Sequence, residues 1–339
     1  MPLDYEARLR NLQNRRYDQE LHESNLTKSF SSNEIPKNIK YLMESMQKID
    51  GKYNRKTLEA ASKVQNHLEN GFNLSFKRSY RTQGSVMTST NIKVHSDFDL
   101  LTIIDRYHYL APDLPNENPY SLSIPNSDIK ELREQSIKIL RNIYDIVNTD
   151  GKKSIYIFNK NLNRKVDIVF CFWYNTKKYE ETNNEYYKGI YLFDFEKEVK
   201  ILDYPFAHIS AVNYKGDSTN DGSRKVIRLL KTLKADNDTI NLSSFIITTI
   251  VHSIPNEELT YKTGNELSIA KSASSQLYKL INNQIYREAI QCPNGTENPI
   301  TSDCITDMKR LKEDLDQLIE DVQKELYNTY FEKGNLIYS

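Results

Sequence analysis

Gly84-Ser85-Val86-Met87-Thr88-Ser89-Thr90, a short polar link, and then Ser96-Asp97-Phe98-Asp99-Leu100-Leu101-Thr102-Ile103-Ile104 is the stretch that decides how this chain reads. Its second half has strand composition, with Phe, Leu, Thr and Ile and no breaker. Side chains alternate faces along a strand, so Asp97 and Asp99 project from the same face, roughly 6–7 Å apart. Phe98, Leu100, Thr102 and Ile104 take the other face. Neighbouring carboxylates repel and raise each other's pKa, and a divalent cation relieves the repulsion. Hard oxygen donors with room for substrate phosphates suit Mg²⁺. Gly84 allows the backbone to approach a ligand closely, and Ser85 offers an N–H and a hydroxyl to a phosphate oxygen. An ordinary turn followed by an edge strand with solvated acids is the competing reading. Asp-x-Asp by itself does not exclude it. The Gly-Ser turn ahead of an Asp-x-Asp that opens an apolar strand is more specific.

Upstream, Ile39, Leu42, Met43 and Met46 recur at helical spacing over 38–50. Leu58, Ala61, Val64 and Leu68 do the same over 56–70, and Gly71 closes that helix. Residues 4–24 are highly charged and fit either a packed helix or a loose arm. Residues 72–82 read as extended. Downstream, Asp105 to Pro125 reads as a loop, and Ser127 as the cap of a helix running to about Val147. Ser154–Phe158 and Lys165–Phe172 read as two strands of a hairpin. Asp167 interrupts the apolar run of the second, where an unpaired charge is expensive. It reads either as a third metal-binding acid or as a solvated strand-end residue paired with Lys165 or Arg164.

Residues 177–205 are rich in Tyr and Glu, with a strand expected at 191–195, and 204–222 reads as a loop. His208 within it is read as structural. Over 222–234, Val226, Ile227, Leu229, Leu230 and Leu233 form an apolar helix face. Arg224, Arg228 and Lys231 share the opposite one. That basic face is either solvated or a cationic wall for a triphosphate. Leu242-Ser243-Ser244-Phe245 opens another apolar helix through Val251. Two further amphipathic helices are expected over 271–290 and 305–326.

The Gly-Ser turn, Asp97, Asp99 and Asp167 together resemble the nucleotidyltransferase superfamily of polymerase-β type. Arg228-x-x-Lys231 followed by Leu-Ser-Ser-Phe narrows the resemblance to the cGAS/OAS-like enzymes and their bacterial relatives, the CD-NTases. The resemblance spans about 58–251. It implies an α+β fold in two lobes: a catalytic lobe with a mixed sheet over 1–205, including the N-terminal helices, and a helical C-terminal lobe over 206–339, with nucleotides bound in the cleft. It implies two Mg²⁺ ions, with Mn²⁺ as a substitute, on Asp97, Asp99 and Asp167. Gln83, Gly84, Ser85, Lys231 and Ser244 would hold the donor phosphates. The implied product is a cyclic di- or trinucleotide made from NTPs in anti-phage defence and read by a downstream cyclic-nucleotide-sensing effector. The alternatives are a linear-oligonucleotide synthase and a nucleotidyltransferase that modifies RNA or protein.

Composition sets outer bounds. The 339 residues carry 46 Lys+Arg against 46 Asp+Glu, a net charge of zero that disfavours a protein whose task is coating nucleic acid. Three cysteines make no disulfide framework. Cys292 and Cys304 lack partners for a zinc site, and with the neutral charge this argues against the DNA activation that the zinc insertion of animal cGAS serves. No apolar run suggests a membrane span and the N-terminus is not signal-like, so a cytoplasmic address is expected.

Overall fold

The computed structural model describes residues 3–16, 35–96, 98–114 and 123–337, the last nine of these as backbone only. Asp97 lies outside them. The chain divides into two compact units. One comprises Asp50–Ser89 and His95–Ser210; the other comprises Met1–Ile49, Thr90–Val94 and Ala211–Ser339.

The first unit is built on a seven-stranded mixed sheet. In chain order it contains helix α3 (Gly51–Gly71), strands β1 (Arg78–Gln83) and β2 (Asp99–Leu110), helix α4 (Pro125–Arg141), strands β3 (Ile146–Asn148), β4 (Ser154–Asn159) and β5 (Arg164–Asn175), a short helix α5 (Lys177–Thr182), and strands β6 (Gly189–Asp194) and β7 (Val199–Asp203). The strand order is β1-β2-β5-β4-β3; β6 pairs with the later half of β5, and β7 continues from β6. β2 and β5 are parallel, and the other pairs are antiparallel. Alternation assigns the two faces. Phe98, Leu100, Ile104, Val166, Ile168, Phe170 and Phe172 bury against Ala60, Ala61, Val64 and Leu68 of α3 and Ile129, Leu132 and Leu140 of α4. The opposite face is closed over much of its length by a smaller cluster of Leu101, Ile103, Val169, Cys171, Trp173, Ile190 and Phe206.

The structure corrects several expectations. The strand that begins at Asp99 continues past Ile104 through an irregularity in the ladder, so 105–110 is not loop. Tyr107 and Tyr109 carry it onward by packing edge-on against Phe172. Helix α4 starts at Pro125, a residue that lacks only an N–H the first turn does not use, and Ser127 is not its cap. Val147 belongs to β3. Residues 204–222 are largely helical, as α6 (Pro205–Ser218). Its amphipathic stripe is weak, so periodicity did not signal it.

The second unit is helical: α1 (Tyr5–Arg16), α2 (Lys37–Met46), α7 (Gly222–Ala235), α8 (Ser244–His252), α9 (Asn256–Leu259), α10 (Glu266–Asn282), α11 (Gln284–Glu288) and α12 (Ile305–Ile337), with the later part of α6. Its core joins Leu12, Tyr41, Leu42 and Met46 to Leu229, Leu230, Ile247, Ile250, Leu277, Leu311 and Leu315. The expected 1–205/206–339 division is therefore redrawn. The N-terminal helices belong with the C-terminal ones because their apolar faces share that core. Polar contacts add to it: Arg8 to Asp314 (2.6 Å), Arg15 to Asp236 (2.7 Å) and the Tyr41 hydroxyl to Asp236 (2.7 Å). Among the described residues, no helix is long and apolar enough to cross a membrane.

Candidate active site

Two of the three expected acids meet in the sheet. Asp99 and Asp167 are register partners on the parallel strands β2 and β5, which places their backbones about 5 Å apart. The register is locked where the Asp167 N–H donates to the Phe98 carbonyl (3.1 Å). Both side chains lie on the face away from α3 and α4, at the end that the Leu101–Trp173 cluster leaves open. Asp99 is half-buried, and the Asp167 side chain keeps 15% of its surface accessible.

Each carboxylate already has a protein partner. Gln83, which faces Asp99 across the β1–β2 pair, donates its side-chain amide to Asp99 Oδ2 at 2.9 Å. Lys165 places its ammonium 2.7 Å from Asp167 Oδ2. Asp167 thus pairs with Lys165 and stands beside Asp99. Tyr156 is the β4 register partner of Asp167, and Lys165 Nζ sits 4.5 Å from the Tyr156 ring centroid. Tyr156 did not stand out in the sequence. Its signal was there, because the alternation of β4 leaves Ser154, Tyr156 and Phe158 half-exposed while Ile155 and Ile157 bury.

Immediately after Gln83 the backbone turns at Gly84 with φ +112°, a conformation that side chains other than glycine's rarely adopt. The following residues coil tightly: Met87 N–H donates to the Gly84 carbonyl (3.1 Å), and the Thr88 hydroxyl to the Ser85 carbonyl (3.3 Å). Buried Val86 pins the turn to the core below. Gln83, Gly84, Ser85, Asp99 and Asp167 are therefore gathered on one end of one sheet.

The donor set fits a divalent cation of the Mg²⁺ type, since two carboxylates on adjacent strands supply hard oxygens at close range. Among the described residues no group of three His, Cys, Asp or Glu forms a metal site, and Asp97 falls outside those residues.

Lys231 and Ser244 belong to the helical unit. The basic face of α7 is neither solvated nor bare. Arg228 is buried and donates to the Met46 carbonyl and to Asp221 Oδ2, both at 2.6 Å. Desolvation lowers its pKa, with Asp221 opposing. Arg224 bonds Asp217 (2.9 Å) and the Asn213 carbonyl (3.0 Å). Lys231 donates to the Thr90 carbonyl at 3.0 Å, in the link that follows the Gly84 turn. Gly222 opens this helix so close to the Leu259 carbonyl that a Cβ would fall 1.9 Å from its oxygen. Ser244 is exposed at the first position of α8, and Ser243 before it caps the helix by accepting from Ile246 N–H (3.1 Å).

Residues 210–327 match the family model of the cGAS/DncV-like nucleotidyltransferase C-terminal helical domain. A cyclic dinucleotide synthase CdnE of Yersinia aleksiciae is 32% identical over 85% of this chain and 77% of its own length. A c-di-GMP synthase of Capnocytophaga granulosa is 32% identical over 94% of this chain and 96% of its own. The solved structure of the STING-associated CdnE c-di-GMP synthase from Capnocytophaga granulosa superposes with a TM-score of 0.79 at 31% identity, covering 95% of this chain and 100% of that one.

Proposed function

This chain belongs to the cGAS/DncV-like nucleotidyltransferase (CD-NTase) family, and from that premise we propose that it joins two nucleoside triphosphates into a cyclic dinucleotide, with GTP as substrate and c-di-GMP as product. The observation that carries the reading is the register of Asp99 with Asp167, which sets two acids of different strands on one open sheet end. Guanine is favoured because relatives from Capnocytophaga granulosa, a Lachnospiraceae bacterium and a Flavobacteriaceae species are c-di-GMP synthases.

Asp97, Asp99 and Asp167 would hold two Mg²⁺ ions, or Mn²⁺ in their place. When bound, the metal supplies charge neutralisation for the triphosphate and acidifies the attacking hydroxyl. Gln83 holds the Asp99 carboxylate in orientation. The Gly84 turn offers N–H groups, and Ser85 its hydroxyl, to donor phosphate oxygens. Lys231 and Ser244 bind the donor triphosphate. Asp167 accepts the proton of a ribose hydroxyl as that oxygen attacks the donor α-phosphate and the bond to pyrophosphate breaks. The linear intermediate then turns and its own triphosphate becomes the donor. A second attack of the same kind releases a second pyrophosphate and closes the ring. A small receptor that senses cyclic dinucleotides is the partner this product implies, in an anti-phage setting, and no DNA activator is required.

The test is incubation with each NTP singly and in mixture with Mg²⁺, with products treated by alkaline phosphatase and resolved by chromatography. GTP alone should give one product that resists phosphatase. A phosphatase-sensitive ladder would replace cyclisation with linear synthesis, and a requirement for a second base would replace c-di-GMP with a mixed product.

A further inference from the structure

Lys165 precedes Asp167 by two residues on β5, so both side chains leave the same face of the sheet. The ammonium is held from two sides, by Asp167 Oδ2 at 2.7 Å and by the Tyr156 ring with its centroid at 4.5 Å. The reason for a cation at this place is electrostatic. Asp99 and Asp167 face each other across adjacent strands, and Lys165 offsets their repulsion. The carboxylate it pairs with is one that the proposed function gives to a metal.

We propose that Lys165 is a built-in competitor of the metal for Asp167, and that once displaced it serves as a phosphate contact for the bound nucleotide. This rests on the reading of Asp99 and Asp167 as metal-binding acids. A metal ion and an ammonium held on the same carboxylate sit close enough to repel each other, so each weakens the hold of the other. The Lys165 side chain is 42% exposed, whereas that of Asp167 is 15% exposed, so the lysine is the partner able to leave. Ion pairs with this much exposure are weak, and a divalent ion backed by further carboxylates displaces them. The Tyr156 ring offers the released ammonium a second resting place by cation–π attraction, close to the acids. An anionic triphosphate arriving with its metal then meets a positive charge that Asp167 had kept engaged. The device offsets the repulsion between Asp99 and Asp167 and adds a cation when substrate is present.

The experiment is Mn²⁺ binding to the full-length protein without nucleotide, followed by the electron paramagnetic resonance signal of free Mn²⁺. Lys165→Met should bind Mn²⁺ about threefold to tenfold more tightly than the unaltered protein, the scale of one half-exposed ion pair removed. Lys165→Arg should bring the affinity back toward the original value. The same Lys165→Met protein should show a raised KM for the nucleotide, by about tenfold, in spite of its tighter metal. Asp167→Asn serves as the control. If Asp167→Asn leaves Mn²⁺ affinity intact, the metal-site reading itself fails. If Asp167→Asn lowers it but Lys165→Met leaves it unchanged or weakens it, the site stands and the competition is overturned. Matching thermal melts of the variants establish that each is folded.

Discussion

The acid end of the sheet and the basic face of α7 are both clusters of like charge, and they are built in opposite ways. At the sheet end, register forces Asp99 and Asp167 together, and the groups that meet them include the Gln83 amide and the half-exposed Lys165 ammonium. On α7, Arg224 and Arg228 are matched by Asp217, Asp221 and backbone carbonyls within their own unit. At the sheet end the ammonium is exposed enough to give way to another cation, whereas on α7 the buried arginine holds helices together. Like charge in a sequence is therefore an ambiguous signal, and what separates a ligand site from a structural clamp is how completely the fold itself neutralises it.

The largest expected effect comes from removing the acids. Asp99→Asn combined with Asp167→Asn should lower synthesis by several orders of magnitude, because the metals they would hold act on both nucleophile and leaving group. The melting temperature should stay the same or rise slightly, since a repulsion is removed. Product measured from GTP and Mg²⁺, alongside a thermal melt, checks both halves. Near-normal synthesis would make the acid end no different from an ordinary solvated strand end.

Asp221→Asn probes the clamp. Asp221 has φ +66°, a conformation that Asn also tolerates, so the change isolates charge from backbone strain. The Arg228 side chain is only 1% exposed and would lose its carboxylate. A loss of about 2–4 kcal/mol in unfolding free energy is expected, at the lower end because Asp221 itself is 38% exposed. Denaturant titration measures it. A change within about 0.5 kcal/mol, the range of ordinary surface substitutions, would show that α7 tolerates free charge as readily as the sheet end does.

The contrast also explains what the sequence could tell. The strands that carry Asp99 and Asp167 were legible from their composition, and the β2–β5 register brought the two acids alongside each other. Helix α7 was legible as a helix, and its apolar face was assigned correctly. The partners of its basic face were not legible. Met46, Asp217 and Thr90 come from other segments, and nothing local encodes long-range neighbours. The same limit hid the attachment of α1 and α2 to the helical core, which depends on Leu12 and Tyr41 meeting residues hundreds of positions away. Helix α6 was missed for a different reason: its burial does not follow a clean stripe, so the periodic signal was too weak to outweigh its proline and glycine.

Lys231 stands between the two designs, since it lies on the clamped face but is proposed to serve the ligand. Its ammonium donates to a neutral carbonyl, that of Thr90, where Arg228 meets a carboxylate. Lys231→Ala should weaken binding of a non-hydrolysable NTP by about 1.5–3 kcal/mol, the scale of a charge-assisted hydrogen bond. Isothermal titration calorimetry reads this directly. Unchanged affinity would move Lys231 to the structural side with Arg224 and Arg228.

The smallest effect is expected at Gln83, and it decides between two jobs for one amide. The family resemblance assigned Gln83 to the donor phosphates, whereas the structure places its Nε2 on Asp99 Oδ2. Gln83→Leu keeps the side chain's approximate size and removes the donor. An orienting hydrogen bond to a charged acceptor contributes about 1.5 kcal/mol, so kcat should fall by roughly tenfold. If Gln83 acts through Asp99, apparent Mg²⁺ affinity should weaken together with kcat, and KM for GTP at saturating metal should hold. If the amide instead binds phosphate, KM should rise and the metal dependence should stay put. The geometry favours the first outcome for a simple reason. Asp99 already occupies one of the amide's two N–H donors, and giving up that bond would release a carboxylate at the point where two acids are crowded. A result in which only KM moves would show that the acid end needs no help in orienting Asp99.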